Sequence, residues 1–265
     1  MKKAIIVFSL IASFSGCSGQ SQLSVRDIFA NGQVRKLADA AAQGNTNAVD
    51  ILLSKGVDVN FVGKDGVTPL TWVMVKGNKI GFEHLLKCGA DPNVRLGAMD
   101  TLLFLAVKVE DPFFLETALK YGGDPNQRKF WMTEVNPNGS IDKDISLLWY
   151  TISTAVSKSD KVRILVKHGA DVKESDGSRD VVRACAMIND YENVYTFLEA
   201  GAPYSTNREP YTLLERLENR AVHPEDSEYV WRNKVVEFLR DRGIKVTPKE
   251  WERKDQPTII NIQTK

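Results

Sequence analysis

The stretch Leu85-Leu86-Lys87-Cys88-Gly89-Ala90-Asp91-Pro92-Asn93 decides how this chain is read, because its second half recurs. The same phrase stands earlier as Lys55-Gly56-Val57-Asp58-Val59-Asn60 and later as Tyr121-Gly122-Gly123-Asp124-Pro125-Asn126. Weaker copies follow at His168-Gly169-Ala170-Asp171-Val172, at Ala200-Gly201-Ala202-Pro203 and at Arg242-Gly243-Ile244. The first glycines step by 33, 33, 47, 32 and 42 residues. A period of this length predicts a stack of small units, each burying its apolar face only against its neighbours. Such stacks serve as binding surfaces far more often than as enzymes.

The residues between the phrases define the unit. Thr68 is placed to cap a helix and Pro69 to open it, while Gly77-Asn78 breaks the chain before a second helix carrying Leu85 and Leu86. Gly89 then supplies a left-handed stop. Thr101-Leu102-Leu103, Ser146-Leu147-Leu148 and Thr212-Leu213-Leu214 keep the hydroxyl cap and the leucine without the proline. Repeat one, from Leu37 to Asn60, has Ala40-Ala41 for close packing and Gly44-Asn45 for its turn; repeat five keeps Ala184-Cys185-Ala186.

Asp65-Gly66-Val67-Thr68-Pro69-Leu70 followed by the Gly89 phrase closely resembles the ankyrin repeat. The resemblance runs from about Gln33 to Val246 and implies an all-α ankyrin-repeat solenoid of about six helix-turn-helix units. Both ends look like covers for the terminal repeats. Ser24 can start a short helix through Phe29. Thr247-Pro248-Lys249-Glu250 has the residues of a capping box, which predicts a closing helix through Trp251.

Residues 1–16 have the anatomy of an export signal: basic Met1-Lys2-Lys3, an apolar run from Ala4 to Phe14, then small residues. The run is shorter than the roughly 20 apolar residues that a membrane-spanning helix needs. Phe14-Ser15-Gly16-Cys17 resembles the bacterial lipobox, although Leu is usual where Phe14 stands. That resemblance implies lipidation of Cys17, and Ser18 after it implies the outer membrane of enterobacterial envelopes. The expected organisation is therefore a signal peptide at 1–16, a lipidated linker and cap at 17–32, ankyrin repeats at 33–246, and a C-terminal cap and tail at 247–265.

Composition sets limits. With 35 basic and 34 acidic residues, or 33 against 34 once Lys2 and Lys3 are removed, the chain has no electrostatic footprint for nucleic acid. Cys88 and Cys185 fall in repeats two and five. Stacked helices step by about 8–10 Å, so these thiols lie beyond the roughly 7 Å Cα separation of a disulfide. His84, His168 and His223 read as helix-surface polar residues, and no metal, cofactor or catalytic motif is expected. The Asp-Pro-Asn phrases lack the terminal Glu of calcium loops.

Two insertions break the period. The longer, Gln127 to Ser140, falls where ankyrin stacks project a hairpin finger, and it carries Phe130, Trp131 and Met132 between polar flanks. Large apolar residues of this kind are enriched at interfaces. The second, about Arg220 to Glu228, reads as a solvated loop. Further contact candidates are Val62, Lys64, Asp65 and Val67 at the first junction, and Val75 and Lys76 in the next inner helix. Arg95, Asp100, Lys108 and Val109 correspond in repeat three, and Met187 and Ile188 in repeat five. The combination resembles ankyrin-repeat lipoproteins that protect bacteria against phospholipase effectors of the type VI secretion system. It implies a non-enzymatic periplasmic inhibitor whose partner is a toxic effector, with the membrane engaged only through the lipid. A periplasmic stress factor of the catalase-associated type and an envelope adaptor are the alternatives.

Overall fold

The computed structural model describes residues 24–96, 100–131, 143–154, 158–175, 180–206 and 209–252. They fall into two compact units, divided between Asp171 and Val172. The first unit opens with α1 (Val25–Ile28), then pairs α2 (Gly32–Ala42) with α3 (Thr46–Ser54) and α4 (Pro69–Val75) with α5 (Lys79–Lys87). It continues with α6 (Leu102–Ala106) and α7 (Phe113–Lys120), and closes with α8 (Leu147–Thr154) and α9 (Lys158–Lys167). The second unit holds α10 (Val181–Met187) with α11 (Tyr191–Glu199), and α12 (Leu213–Asn219) with α13 (Ser227–Arg240).

Each pair forms for reasons written locally. Thr68 accepts the N–H of Thr71 and Pro69 occupies the first helical position of α4. Asn45, Asn78 and Asp190 cap the second helices α3, α5 and α11 through their side chains. The first helices α4 and α6 are buried nearly all round: every residue from Pro69 to Met74, and from Leu102 to Ala106, lies inside. They pack against a partner helix and against neighbouring repeats, so no polar stripe survives in their sequence. The second helices keep one wet face. In α5, Phe82, Leu85 and Leu86 are buried while Ile80 is 66% exposed. The close approach expected at Ala40-Ala41 is supplied by Ala41 and Gly81, since a Cβ on Gly81 would lie 1.8 Å from the Ala41 carbonyl oxygen.

The recurring phrase has a second purpose besides ending helices. Gly89 sits at φ +88°, as the left-handed stop requires. Four residues beyond it, Asn93 donates from Nδ2 to the Gly122 carbonyl (2.9 Å) and accepts the N–H of Asp124 (2.8 Å). Asn60 makes the same pair of bonds to Gly89 and Asp91, and Asn126 to Gly169 and Asp171. Each asparagine thus holds the corresponding turn of the next repeat. Asp58, Asp91 and Asp124 accept the N–H groups of these asparagines and fix their backbone. The phrase after Gly169 continues Asp171-Val172-Lys173, with no asparagine to make a further rung.

At the amino end Ser24 and Asp27 form a reciprocal capping box on α1. Asn31 does not merely end that helix: it caps α2 by accepting the N–H groups of Gln33 and Val34. The other end departs from expectation. Residues 247–252 form no helix. Lys249 donates its N–H to the Leu217 carbonyl and offers its own carbonyl to Arg232, which is fully buried. An extended segment serves the buried guanidinium in a way that a helix, which spends its carbonyls on itself, would not. The segment ends with Trp251 edge-on to His223, ring centroids 4.3 Å apart. Within the second insertion Val222 is buried, so that loop is only partly solvated.

Candidate functional site

The repeat junctions of the first unit carry the candidate surface. At the first junction Gly63 donates its N–H to the Val67 carbonyl (2.8 Å), closing a turn over Lys64–Gly66 in which Asp65 takes φ 53°. This turn packs against β1 (Arg95–Leu96), which pairs antiparallel with β2 (Asp100–Thr101) at the second junction. The third junction is longer: β3 (Arg128–Trp131) pairs with β4 (Lys143–Ser146) in the register Arg128 with Ser146 through Trp131 with Lys143. The hairpin finger expected from the insertion is present at its base. Met132 lies outside the described residues, and Phe130 and Trp131 are placed through their backbones alone.

Polar side chains fasten the hairpins to one another. Gln127 donates to Asn93 Oδ1 (2.7 Å) and accepts from the Thr101 hydroxyl. Thr101 therefore spends its hydroxyl on a neighbouring repeat and leaves α6 without a side-chain cap, unlike Thr68 and Ser146. Lys129, expected among the polar flanks, is 8% exposed, with Nζ 3.9 Å from the Tyr150 ring centre and 4.6 Å from that of Phe104. Alternation explains it. Along an antiparallel strand one residue in two faces inward, and Arg128 takes the wet position.

The proposed contact residues divide by burial. Val62 is 57% exposed, and Lys64, Lys76 and Arg95 are also exposed. Asp65, Val75 and Lys108 are half-buried. Lys76 lies 4.5 Å over the Trp72 ring and Lys108 5.6 Å over that of Tyr150, so both ammonium groups ride on aromatic faces. Val67 and Val109 are buried and belong to the core. Their burial corrects the expectation that both were left over for a partner, and Val75 packs partly against the cluster around Phe29 and Trp72. The side chain of Asp100 is outside the description. In the second unit Met187 is half-buried at the end of α10 and Ile188 is 58% exposed beside it.

Of the histidines, His84 is not a lone surface group. Its Nε2 lies 2.7 Å from Asp50 Oδ1, and Cys88 is one helical turn along. The His84-x-x-x-Cys88 spacing was the signal in the sequence for this pair; the carboxylate arrives from another repeat. Cys88 and Cys185 are both thiols.

No known family profile matches the chain. It is 30% identical over 173 residues to the palmitoyltransferase AKR1 of Lachancea kluyveri, an alignment covering 60% of this chain and 22% of that protein. It is 40% identical over 83 residues to the cyclin-dependent kinase 4 inhibitor B of Bos taurus, covering 26% of this chain and 63% of the relative. The units are stacked ankyrin repeats. The chain thus spans less than two thirds of either relative, and their likeness to it concerns these repeats. Ankyrin repeats are protein-interaction modules. No described helix is long and apolar enough to cross a membrane.

Proposed function

We propose that the chain is a lipid-anchored immunity protein of the bacterial envelope, facing the periplasm, that binds and neutralises a secreted antibacterial effector, a type VI secretion phospholipase. The observation that carries the reading is a leader over residues 1–16 followed by the lipobox-like Cys17, joined to ankyrin repeats with a lengthened third finger. Cys17 lies outside the described residues, and the anchor is argued from sequence. Residues 18–23 reach at most about 20 Å when extended, so the repeats work close to the bilayer. A phospholipase acts at that surface, and an inhibitor tethered there meets it where its substrate is.

On this reading the protein binds and does not catalyse. The contact surface is the row of hairpins, with Val62, Lys64 and Arg95 exposed, the exposed Lys76 at the end of α4, and the third finger carrying Phe130, Trp131 and Met132. Exposed Val62 set among Lys64, Lys76 and Arg95 suits a partner that offers an apolar rim and carboxylates. The test is co-expression with the product of the adjacent gene, followed by purification through a tag on this chain. A stable complex that lacks phospholipase activity supports the proposal. Capture of a catalase, or of no neighbouring product, contradicts it.

A further inference from the structure

Three donor atoms from neighbouring repeats meet on the second-helix side of the first unit. Asp50 comes from α3; His84 lies in α5, and Cys88 directly follows that helix. His84 Nε2 is 2.7 Å from Asp50 Oδ1, and Cys88 Sγ is 3.7 Å from that nitrogen and 3.9 Å from that oxygen. All three atoms fall within 4.8 Å of one another. A tetrahedral zinc holds sulfur at about 2.3 Å and nitrogen or oxygen at about 2.0–2.2 Å, which separates its ligands by roughly 3.3–3.6 Å. The two edges to sulfur are close to that size. The third is short because a hydrogen bond closes it. Its opening needs a movement of about half an ångström, and the Asp50 side chain, 57% exposed, has room to make it.

We propose that Asp50, His84 and Cys88 form a binding site for a divalent cation that accepts thiolate, zinc foremost. Donor type decides the metal class: one sulfur, one imidazole and one carboxylate suit zinc, whereas calcium and magnesium take oxygen. Binding exchanges the Cys88 S–H bond for a metal–sulfur bond and releases that proton to water. The His84–Asp50 hydrogen bond, in which Nε2–H donates to the carboxylate, breaks; that proton leaves Nε2 and is replaced through water by one on Nδ1, so the neutral imidazole coordinates through Nε2. The His84 side chain is 21% exposed, so the ion enters from solvent and a water completes the tetrahedron. The bound ion clamps repeat one to repeat two across α3 and α5.

Cobalt(II) added to the full-length, metal-free protein reads the site directly. One equivalent should produce a thiolate-to-cobalt charge-transfer band with the visible absorption of a tetrahedral ion, and zinc should displace it. Both signals should vanish in Cys88→Ser and in His84→Gln, which keep a polar group at each position, and persist in Cys17→Ser and Cys185→Ser. The melting temperature should rise with added zinc in the wild type and stay fixed in Cys88→Ser. No charge-transfer band, a band that survives Cys88→Ser, or a band lost with Cys17 or Cys185 would overturn the assignment. None of these outcomes bears on whether the chain inhibits an effector.

Discussion

Asn93 takes a hydrogen bond from the N–H of Asp124 and another from Gln127, and gives one to the carbonyl of Gly122. Its replacement by alanine strips three bonds that reach into the following repeat. Gly122 and Asp124 are exposed, so water recovers part of the loss. Asn93→Ala should cost about 1–3 kcal/mol of stability, on the usual scale for lost hydrogen bonds. Asn60→Ala should cost less, because among the bonds described for the described residues Asn60 has no counterpart of the Gln127 contact. Urea denaturation of both variants measures the order, and equal stability of Asn93→Ala and wild type would refute the ladder. The same residue shows the limit of reading locally. The period marked Asn93 as part of a signature, but its partners lie about thirty positions away, and no local pattern reports them.

At the scale of elements, α13 docks its first turn on the first turn of α11. Glu228 accepts the N–H groups of Tyr191 (2.6 Å) and Glu192 (3.1 Å). Burial pushes its carboxyl above the ordinary value, outweighing these two bonds, and nearby Asp190 and Glu192 add to the rise. A carboxyl whose folded value is raised binds its proton more tightly in the native state. Its contribution therefore weakens as pH rises from the unfolded value through the raised one. Glu228→Gln keeps an oxygen for both N–H groups and removes the buried charge. It should flatten that fall and leave the protein at least as stable at neutral pH; urea midpoints across the acid range check it, and a steeper fall would contradict it.

The third hairpin gives the corresponding test of binding. If the strand that carries Trp131 packs against the partner, Trp131→Ala should weaken the complex by about 2 kcal/mol or more, roughly thirtyfold, with the melting temperature of the free chain unmoved. A lowered melting temperature would instead place Trp131 in the core, where truncation costs about 3–5 kcal/mol. Helices, caps and turn glycines were legible because each is set by a few adjacent residues. The extended form of the closing segment was not, because Arg232, fifteen or more residues upstream, takes the carbonyl of Lys249. Burial of Val67 and Lys129 escaped for a like reason: Val67 joins a cluster with Phe29 and Val34, and Lys129 lies over Phe104 and Tyr150, all distant in sequence.

For the molecule as a whole, the repeats explain why so much of the described chain is taken up by packing between neighbours. Glycine stops, asparagine rungs and apolar first helices are all spent on stacking. What remains for a partner is the hairpin row and the exposed residues beside it. The central claim is that this surface neutralises a phospholipase by occupying it. The most direct measurement is a titration of the purified effector with purified full-length protein, read as residual phospholipid hydrolysis. A tight binding module predicts a linear fall to zero at one equivalent, with activity recovered when the complex is dissociated. Full activity at excess protein, or irreversible loss at far below one equivalent, would contradict it.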